Sequence, residues 1–189
     1  WVAALREREL TYGGNMSAAA ARVIMISGFL GAGKTTLLRR ILGWKQDMSD
    51  TVVIVNEFGD VGIDGDMVKL EDGSGPGRTE DGALIELTTG CICCTLKVDL
   101  RLLLEKLWER GAPRWMFIEA SGVSDPVSLI SLFHEEGIVQ HVDSLQALTV
   151  LDAETWKMRE IMGQLFFLQL GSADLLILNK TDLLDPHEL

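Results

Sequence analysis

The sequence predicts an α/β domain with a mainly parallel sheet and helices on both faces. Short apolar runs of strand length alternate along the chain with longer stretches of helical periodicity. The apolar runs are nearly continuous rather than alternating, which is typical of strands buried on both faces. The chain has 189 residues and is 47% hydrophobic, which is enough for one domain with a sizeable core.

The predicted elements follow one another from residue 22. Five apolar runs are predicted as strands, at 22–27, 51–56, 114–119, 145–153 and 173–179. Helices are predicted where apolar residues recur at spacings of three and four. These helices are 34–44, 95–111 and 154–171, and Gly111 is expected to end the second one. The stretch 71–83 contains four glycines and is expected to be a mobile loop.

Charge and hydropathy exclude two classes of function. The net charge of −11 and the pI of about 4.7 argue against a protein that binds nucleic acid, which needs a basic surface. No run approaches the roughly 18 consecutive apolar residues of a membrane-spanning helix. Residues 1–15 lack the apolar segment of a secretory signal. We therefore expect a cytoplasmic protein that binds neither nucleic acid nor membranes.

The stretch "GFLGAGKTT" follows the first predicted strand and begins the first predicted helix. Gly28 and the sequence Gly33-Lys34-Thr35 fit the G-x-x-x-x-G-K-[ST] pattern of a phosphate-binding loop. Glycines let backbone N–H groups turn towards phosphate oxygens, Lys34 neutralises phosphate charge, and the Thr35 hydroxyl can hold Mg²⁺. The alternative is a glycine-rich turn with a chance lysine. The predicted nucleotide contacts are Gly28, Gly31, Ala32, Gly33, Lys34, Thr35 and Thr36.

The last predicted strand ends in Asn179-Lys180-x-Asp182. An aspartate carboxylate accepts two hydrogens from guanine, N1–H and the exocyclic amine, and adenine offers no such pair there. The motif alone would also fit a turn at the end of a strand. After a phosphate loop it favours GTP over ATP. The chain ends seven residues after Asp182, so we expect a fragment of a longer protein.

All three cysteines, Cys91, Cys93 and Cys94, lie within "ELTTGCICCTL". Buried structural thiols are one interpretation, because free cysteine is among the most buried residue types. A disulfide is a second, although neighbours this close are poorly placed for one. A thiolate site for a transition metal is a third. Three sulfurs leave a tetrahedral ion one ligand short, so either a carboxylate fills the fourth position or this position stays open for metal transfer.

Five segments together resemble the CobW-like family of P-loop GTPases, which are regarded as metallochaperones. They are "GFLGAGKTTLLRRIL", "VIVNEFGDVGID", "ELTTGCICCTL", "FIEASGVSDP" and "LNKTDLL", and the match as a whole runs from about residue 22 to residue 184. The resemblance implies a P-loop GTPase domain over residues 22–189, with residues 1–21 as an extension that is disordered or partly helical.

The resemblance also implies roles for individual residues. Cys91, Cys93 and Cys94 match the metal motif of the family, and the loop 56–60 matches its nucleotide-sensing switch. Acids of that loop are linked to metal in the family, which here means Glu57 and Asp60. Glu119 stands where other P-loop enzymes have an aspartate that orients Mg²⁺ or water. The predicted catalytic residues are Lys34, Thr35, Asp60 and Glu119.

Four acids, among them Asp125 of the segment "FIEASGVSDP" and Asp152, also have a plain structural interpretation. Glu57, Asp60 and Asp125 could cap helices or turns. For Asp152 we prefer this interpretation, with its side chain capping the helix that begins near Glu154.

The resemblance predicts a slow GTPase that uses Mg²⁺ and couples its nucleotide state to a zinc site for transfer to a client protein. Co²⁺, Ni²⁺ or Cu(I) could replace zinc. One alternative is a metal-sensing module, or a regulator of another enzyme, that binds GTP with negligible turnover. Another is a GTPase whose cysteines are inert, and a third is a fragment too incomplete to work.

Overall fold

The computed structural model describes residues 20–44, 47–55, 68–70, 83–86, 94–109, 111–185 and 187. Seven strands within these ranges form one sheet, and every neighbouring pair is parallel. They are β1 (Ala21–Ser27), β2 (Thr51–Val55), β3 (Val68–Leu70), β4 (Ala83–Glu86), β5 (Trp115–Glu119), β6 (Val142–Asp152) and β7 (Leu175–Asn179). Their order across the sheet is β3-β4-β2-β5-β1-β6-β7.

Five α-helices connect these strands in the described part of the chain. They are α1 (Lys34–Trp44), α2 (Cys94–Glu109), α3 (Pro126–Leu132), α4 (Ala153–Lys157) and α5 (Gly163–Gly171). Short 3₁₀ turns lie at Val139–His141, Arg159–Ile161 and Thr181–Leu183. None of the described helices is long and apolar enough to cross a membrane.

The core lies on both faces of the sheet, as the sequence predicts. Successive residues of a strand point to opposite faces, so Met25 and Ile26 of β1 belong to different clusters. Met25 packs in a cluster with Leu104 of α2 and Leu132 of α3. Ile26 packs in a second cluster with Leu38 of α1. All five side chains are fully buried, and truncating such a leucine to alanine costs about 2–5 kcal/mol.

Strand order places the carboxyl ends of β1, β5 and β6 next to one another. Ile26 is paired in register with Glu119 of β5, and Ser27 with Thr149 of β6. The chain leaves β1 through α1 towards one side of the sheet and leaves β5 through α3 towards the other. Ligands of open parallel sheets bind where the connections diverge in this way.

Most predicted boundaries are confirmed within a few residues, but one predicted helix is wrong. The stretch 154–171 is divided into α4, a 3₁₀ turn and α5. Gly163 has a φ of +75°, a left-handed conformation that interrupts one helix and begins the next. Apolar residues at helical spacing continue through the break, so periodicity alone predicts one helix.

Three short elements were not predicted from the sequence. The strands β3 and β4 have three and four residues, too few for a clear periodic pattern. The helix α3 has seven residues. Predictions for residues 1–19, and for 71–82 of the expected loop, lie outside the described residues.

Candidate nucleotide-binding site

The phosphate loop, residues 28–33, joins β1 to α1 and contains two glycines at positions that exclude a larger side chain. Gly28 has a φ of +134°, and a Cβ atom there would lie 2.2 Å from the carbonyl oxygen of Val150. Gly33 has a φ of +102°, and its Cβ would lie 2.3 Å from Nδ2 of Asn179. Gly28 therefore allows close packing against another backbone segment, and Gly33 allows close packing against the Asn179 side chain, which a larger residue would prevent at either position.

Lys34 is the first residue of α1, and its side chain is only 3% exposed. Its Nζ donates a hydrogen bond of 3.3 Å to the carbonyl oxygen of Phe29, across the phosphate loop. The ammonium group is thus held inside the loop, at the positive end of the helix dipole. This arrangement concentrates positive charge where phosphate oxygens would lie.

Thr35 and Glu119 place two oxygen atoms together at the carboxyl ends of the central strands. Thr35 Oγ1 donates a hydrogen bond of 2.6 Å to Oε1 of Glu119. Glu119 ends β5 and has no exposed surface. A hydroxyl and a carboxylate are hard oxygen ligands of the kind that Mg²⁺ prefers, so the donor set fits that ion.

The motif that follows β7 contacts the phosphate loop directly. Asn179 Nδ2 donates a hydrogen bond of 2.9 Å to the carbonyl oxygen of Ala32, although the two residues are 147 positions apart. The two segments that the sequence assigns to one nucleotide are therefore in contact.

Lys180 lies beside this contact in a strained backbone conformation. Its φ of 57° is the only positive value among the described residues other than glycine. Its Nζ donates a hydrogen bond of 2.7 Å to Oδ2 of Asp152, at the end of β6. Asp182 follows within the 3₁₀ turn and is exposed, as is Thr36 on the first turn of α1.

Two acids have the capping role that the sequence analysis considered. Asp152 Oδ1 accepts the backbone N–H of Glu154 at 2.9 Å and caps α4, which confirms the preferred interpretation. Asp125 caps α3 by accepting the backbone N–H of Val127 at 2.9 Å. Asp152 differs from Asp125 because its second oxygen binds Lys180.

The predicted metal ligands are not brought together by the described residues. Glu57, Asp60, Cys91 and Cys93 lie outside them, and Cys94 is described only as the first residue of α2. The described part of the chain contains no group of three or more His, Cys, Asp or Glu side chains that could hold a metal ion. The cysteine site therefore stays a prediction.

One buried polar residue near the phosphate loop was not predicted. Gln169 of α5 is 1% exposed and contacts the backbone that follows β5. Its only signal in the sequence is that it is a polar residue within the apolar run "LFFLQL". Such a residue would be buried only with its hydrogen bonds satisfied, and the sequence does not reveal the partners.

A comparison with protein-family models identifies the family. The model for the nucleotide-binding domain of CobW/HypB/UreG matches residues 22–189. The chain belongs to this family. Its membership in this family accounts for the P-loop GTPase fold.

Relatives in the CobW family carry names that refer to zinc. The chain is 40% identical over 189 residues to "Zinc chaperone CobW" of Sinorhizobium sp, covering 87% of this chain and 52% of the relative. It is 35% identical over 170 residues to "Zinc-regulated GTPase metalloprotein activator 1" of Schizosaccharomyces pombe, covering 88% of this chain and 40% of the relative. The crystal structure of the Zn(II)-bound YjiA GTPase from E. coli matches with a TM-score of 0.60 and 26% identity. The match covers 89% of this chain and 52% of the YjiA chain. The chain thus spans between 40% and 52% of the length of these CobW-family proteins.

Proposed function

We propose that the chain binds GTP with Mg²⁺, hydrolyses it slowly, and uses its nucleotide state to control zinc transfer to a metal-requiring client protein. In this proposal residues 22–189 form the GTPase domain, residues 1–21 are an extension, and the protein works in the cytoplasm. The observation that carries the nucleotide part is the hydrogen bond between Asn179 and the Ala32 carbonyl. It joins the segment proposed to read the base to the segment proposed to hold the phosphates.

The phosphate loop and Lys34 would bind the phosphates of the nucleotide. Lys34 supplies a buried positive charge, and the N–H groups of residues 33–36, which precede the first intrahelical hydrogen bond of α1, would supply hydrogen-bond donors. Thr35 and Glu119 would hold Mg²⁺, which when bound neutralises charge on the β- and γ-phosphates. Glu119 would orient the ion or the attacking water, and Asp60 would act with it.

Selection of guanine would depend on Asp182, whose carboxylate can accept both N–H groups on one edge of that base. Lys180 and Asn179 would hold the motif in place through the Asp152 carboxylate and the Ala32 carbonyl. Slow turnover is expected because the motifs supply neither an arginine finger nor a glutamine that positions water.

The zinc part of the proposal is supported by chemistry and by relatives. Cys91, Cys93 and Cys94 offer three thiolates, and Glu57 would complete a tetrahedral set. Zinc is preferred over Co²⁺, Ni²⁺ or Cu(I) because the relatives include a "Zinc chaperone CobW" and a zinc-bound YjiA GTPase. Since Glu57 lies in the loop proposed to sense nucleotide, metal and nucleotide affinities would be coupled in both directions.

A nucleotide titration tests the first half of the proposal. GTP should bind more tightly than ATP. The variant Asp182→Asn should bind GTP more weakly and a xanthine nucleotide more tightly. The reason is that xanthine carries a carbonyl where guanine carries the exocyclic amine, and the asparagine amide can donate to it. Equal affinities of the unaltered chain for GTP and ATP would contradict guanine recognition.

Zinc binding measured with a GTP analogue and with GDP tests the second half. The two zinc affinities should differ, and Cys93→Ser should weaken both, since one thiolate is lost. Equal affinities in the two nucleotide states would remove the coupling. A single-turnover assay showing no hydrolysis would instead favour a metal-sensing module that uses GTP as a ligand.

A further inference from the structure

Gln169 of α5 connects its helix to two other segments of the chain, residues 122–124 and β6. Its Nε2 donates to two backbone carbonyls, that of Gly122 at 3.2 Å and that of Ser124 at 3.4 Å. Its own backbone carbonyl accepts hydrogen bonds from Thr149 Oγ1 at 2.9 Å and Ser172 Oγ at 3.1 Å. All five residues are buried, so each of these polar groups depends on its protein partners.

The same network reaches the start of the phosphate loop. Thr149 Oγ1 also shares a hydrogen bond of 2.7 Å with Ser27 Oγ. Ser27 is the last residue of β1 and immediately precedes Gly28. A chain of buried hydrogen bonds therefore runs from the beginning of the loop through β6 to α5.

The segment that Gln169 holds packs directly against the phosphate loop. A Cβ atom on Gly122 would lie 2.6 Å from the backbone nitrogen of Leu30, so the two backbones are in close contact. The segment also follows Glu119 after only two residues, and Glu119 binds Thr35. It thus lies on the side of the site where the Mg²⁺-linked terminal phosphate would be.

The carboxamide is well suited to this role. Its Nε2 carries two N–H groups, which serve two carbonyl oxygens at once. A hydrocarbon side chain would leave both buried carbonyls without these donors, and a carboxylate would repel them. A glutamine at this position is therefore explained by the two backbone carbonyls that it faces, and not by the apolar character of α5.

We propose that Gln169 is a positioning residue: it holds the backbone of residues 122–124 against the phosphate loop and transmits terminal-phosphate binding to α5. This inference depends on the proposed GTP binding. Binding of the terminal phosphate would fix the loop and the 122–124 segment together, and Gln169 would pass that restraint to α5. GDP, which lacks the terminal phosphate, would restrain α5 less.

The test compares Gln169→Met with Ser172→Ala on the full chain. Methionine keeps the length of the side chain but removes both donors. Ser172 also contacts Gln169, yet removal of its hydroxyl leaves the carboxamide in place. The affinity for a GTP analogue relative to GDP should fall about two- to tenfold in Gln169→Met, corresponding to one net hydrogen bond, and stay unchanged in Ser172→Ala.

A purely structural role would lower the unfolding temperature of both variants without changing the affinity ratio of either, and that result would overturn the inference. If Gln169→Met does not fold, amide hydrogen exchange of the unaltered protein tests the inference instead. Amides of residues 163–172 should exchange more slowly with the GTP analogue than with GDP, and equal exchange would overturn the inference. Failure of the unaltered protein to bind guanine nucleotides at all would instead reject the proposed function itself.

Discussion

The two strands that lead into the proposed nucleotide motifs, β1 and β7, are similarly apolar but differ in their surroundings. β1 lies between β5 and β6, and Met25, Ile26 and Ser27 at its carboxyl end are buried. β7 lies at one edge of the described sheet, and all five of its residues are only half-buried.

This difference separates two ways of holding a functional segment. The phosphate loop is held by close steric packing, since Gly28 lies against the Val150 backbone and Gly33 against the Asn179 side chain, and neither has space for a Cβ atom. The base motif is held by individual side-chain hydrogen bonds, from Asn179 to Ala32 and from Lys180 to Asp152. We therefore expect steric changes on the phosphate side to be far more damaging than the loss of polar contacts on the base side.

The largest effect is expected for Gly28→Ala. The added methyl group would collide with the Val150 backbone at a φ that L-residues rarely adopt. Chemical denaturation should show a free energy of unfolding lower by about 3 kcal/mol, and nucleotide binding should be lost. Gly31→Ala is the matched control, because its φ is also positive, at +74°, but nothing lies within 4 Å of the added atom. Its cost should be about 1 kcal/mol, and equal costs for both variants would contradict the steric explanation.

A smaller effect is expected for Asn179→Ala, which removes the donor to the Ala32 carbonyl. The free energy of unfolding should fall by about 1 kcal/mol, and GTP affinity should fall as the base motif separates from the loop. Asn179→Asp should lower the free energy of unfolding and the GTP affinity at least as much, because a carboxylate oxygen would face the carbonyl oxygen of Ala32. Denaturation and nucleotide titration measure both quantities. An aspartate variant that behaves like the unaltered protein would show that this contact is unimportant.

Asp152 offers a sharper comparison, because its two oxygens have different partners. Asparagine caps helices as well as aspartate does, so Asp152→Asn should keep the α4 cap and weaken only the pairing with Lys180. The unfolding free energy should fall by about 0.2–1 kcal/mol, since Lys180 is 36% exposed and the pair is screened by solvent.

Asp152→Ala should cost about 1 kcal/mol more than Asp152→Asn, because the cap is lost as well. Denaturation at low and high salt separates the two contributions, since only the charge pairing depends on ionic strength. If the two variants lower the free energy of unfolding equally, the charge pair with Lys180 rather than the helix cap accounts for the contribution of Asp152.

The smallest effect is expected far from the site, at Glu135. Its carboxylate lies 2.7 Å from Nζ of Lys97 and 2.6 Å from Nη1 of Arg101, both on α2. The hydrogen bond from Lys97 is the main cause that lowers the pKa of Glu135 below its usual 4.5. A lowered carboxyl pKa means that the stabilisation is present above pH 4.5 and is lost as the pH falls through the folded-state pKa.

Glu135→Gln should therefore lower the unfolding temperature slightly at neutral pH, and the difference from the unaltered protein should vanish in acid. Glu136→Gln removes the same charge from the neighbouring position and serves as the control. Thermal unfolding across pH measures both variants. A difference that persists well below pH 4.5 would show that lost packing, rather than lost charge, is responsible.

The phosphate loop could be predicted from sequence because its determinants are local. Its glycines, Lys34 and Thr35 lie within eight consecutive positions, after one apolar run and before one amphipathic helix. Asp152 was also predictable as a cap, since it immediately precedes the helix it caps. Its second bond, to Lys180 in a distant segment, was not.

The strands β3 and β4 could not be predicted because their few residues gain stability mainly from their neighbours. β4 is paired along its length with β2, and β3 with β4. Gln169 was missed for the same reason, since its partners in residues 122–124 are more than forty positions away.

The sequence by itself determined the two nucleotide motifs and the α/β class, because spacing, glycine positions and hydrophobic periodicity act over a few neighbouring residues. Only the tertiary structure decided strand order, and with it the contacts of Thr35 with Glu119 and of Asn179 with Ala32. These contacts form because parallel strands bring their carboxyl ends to one edge of the sheet, whatever their separation along the chain.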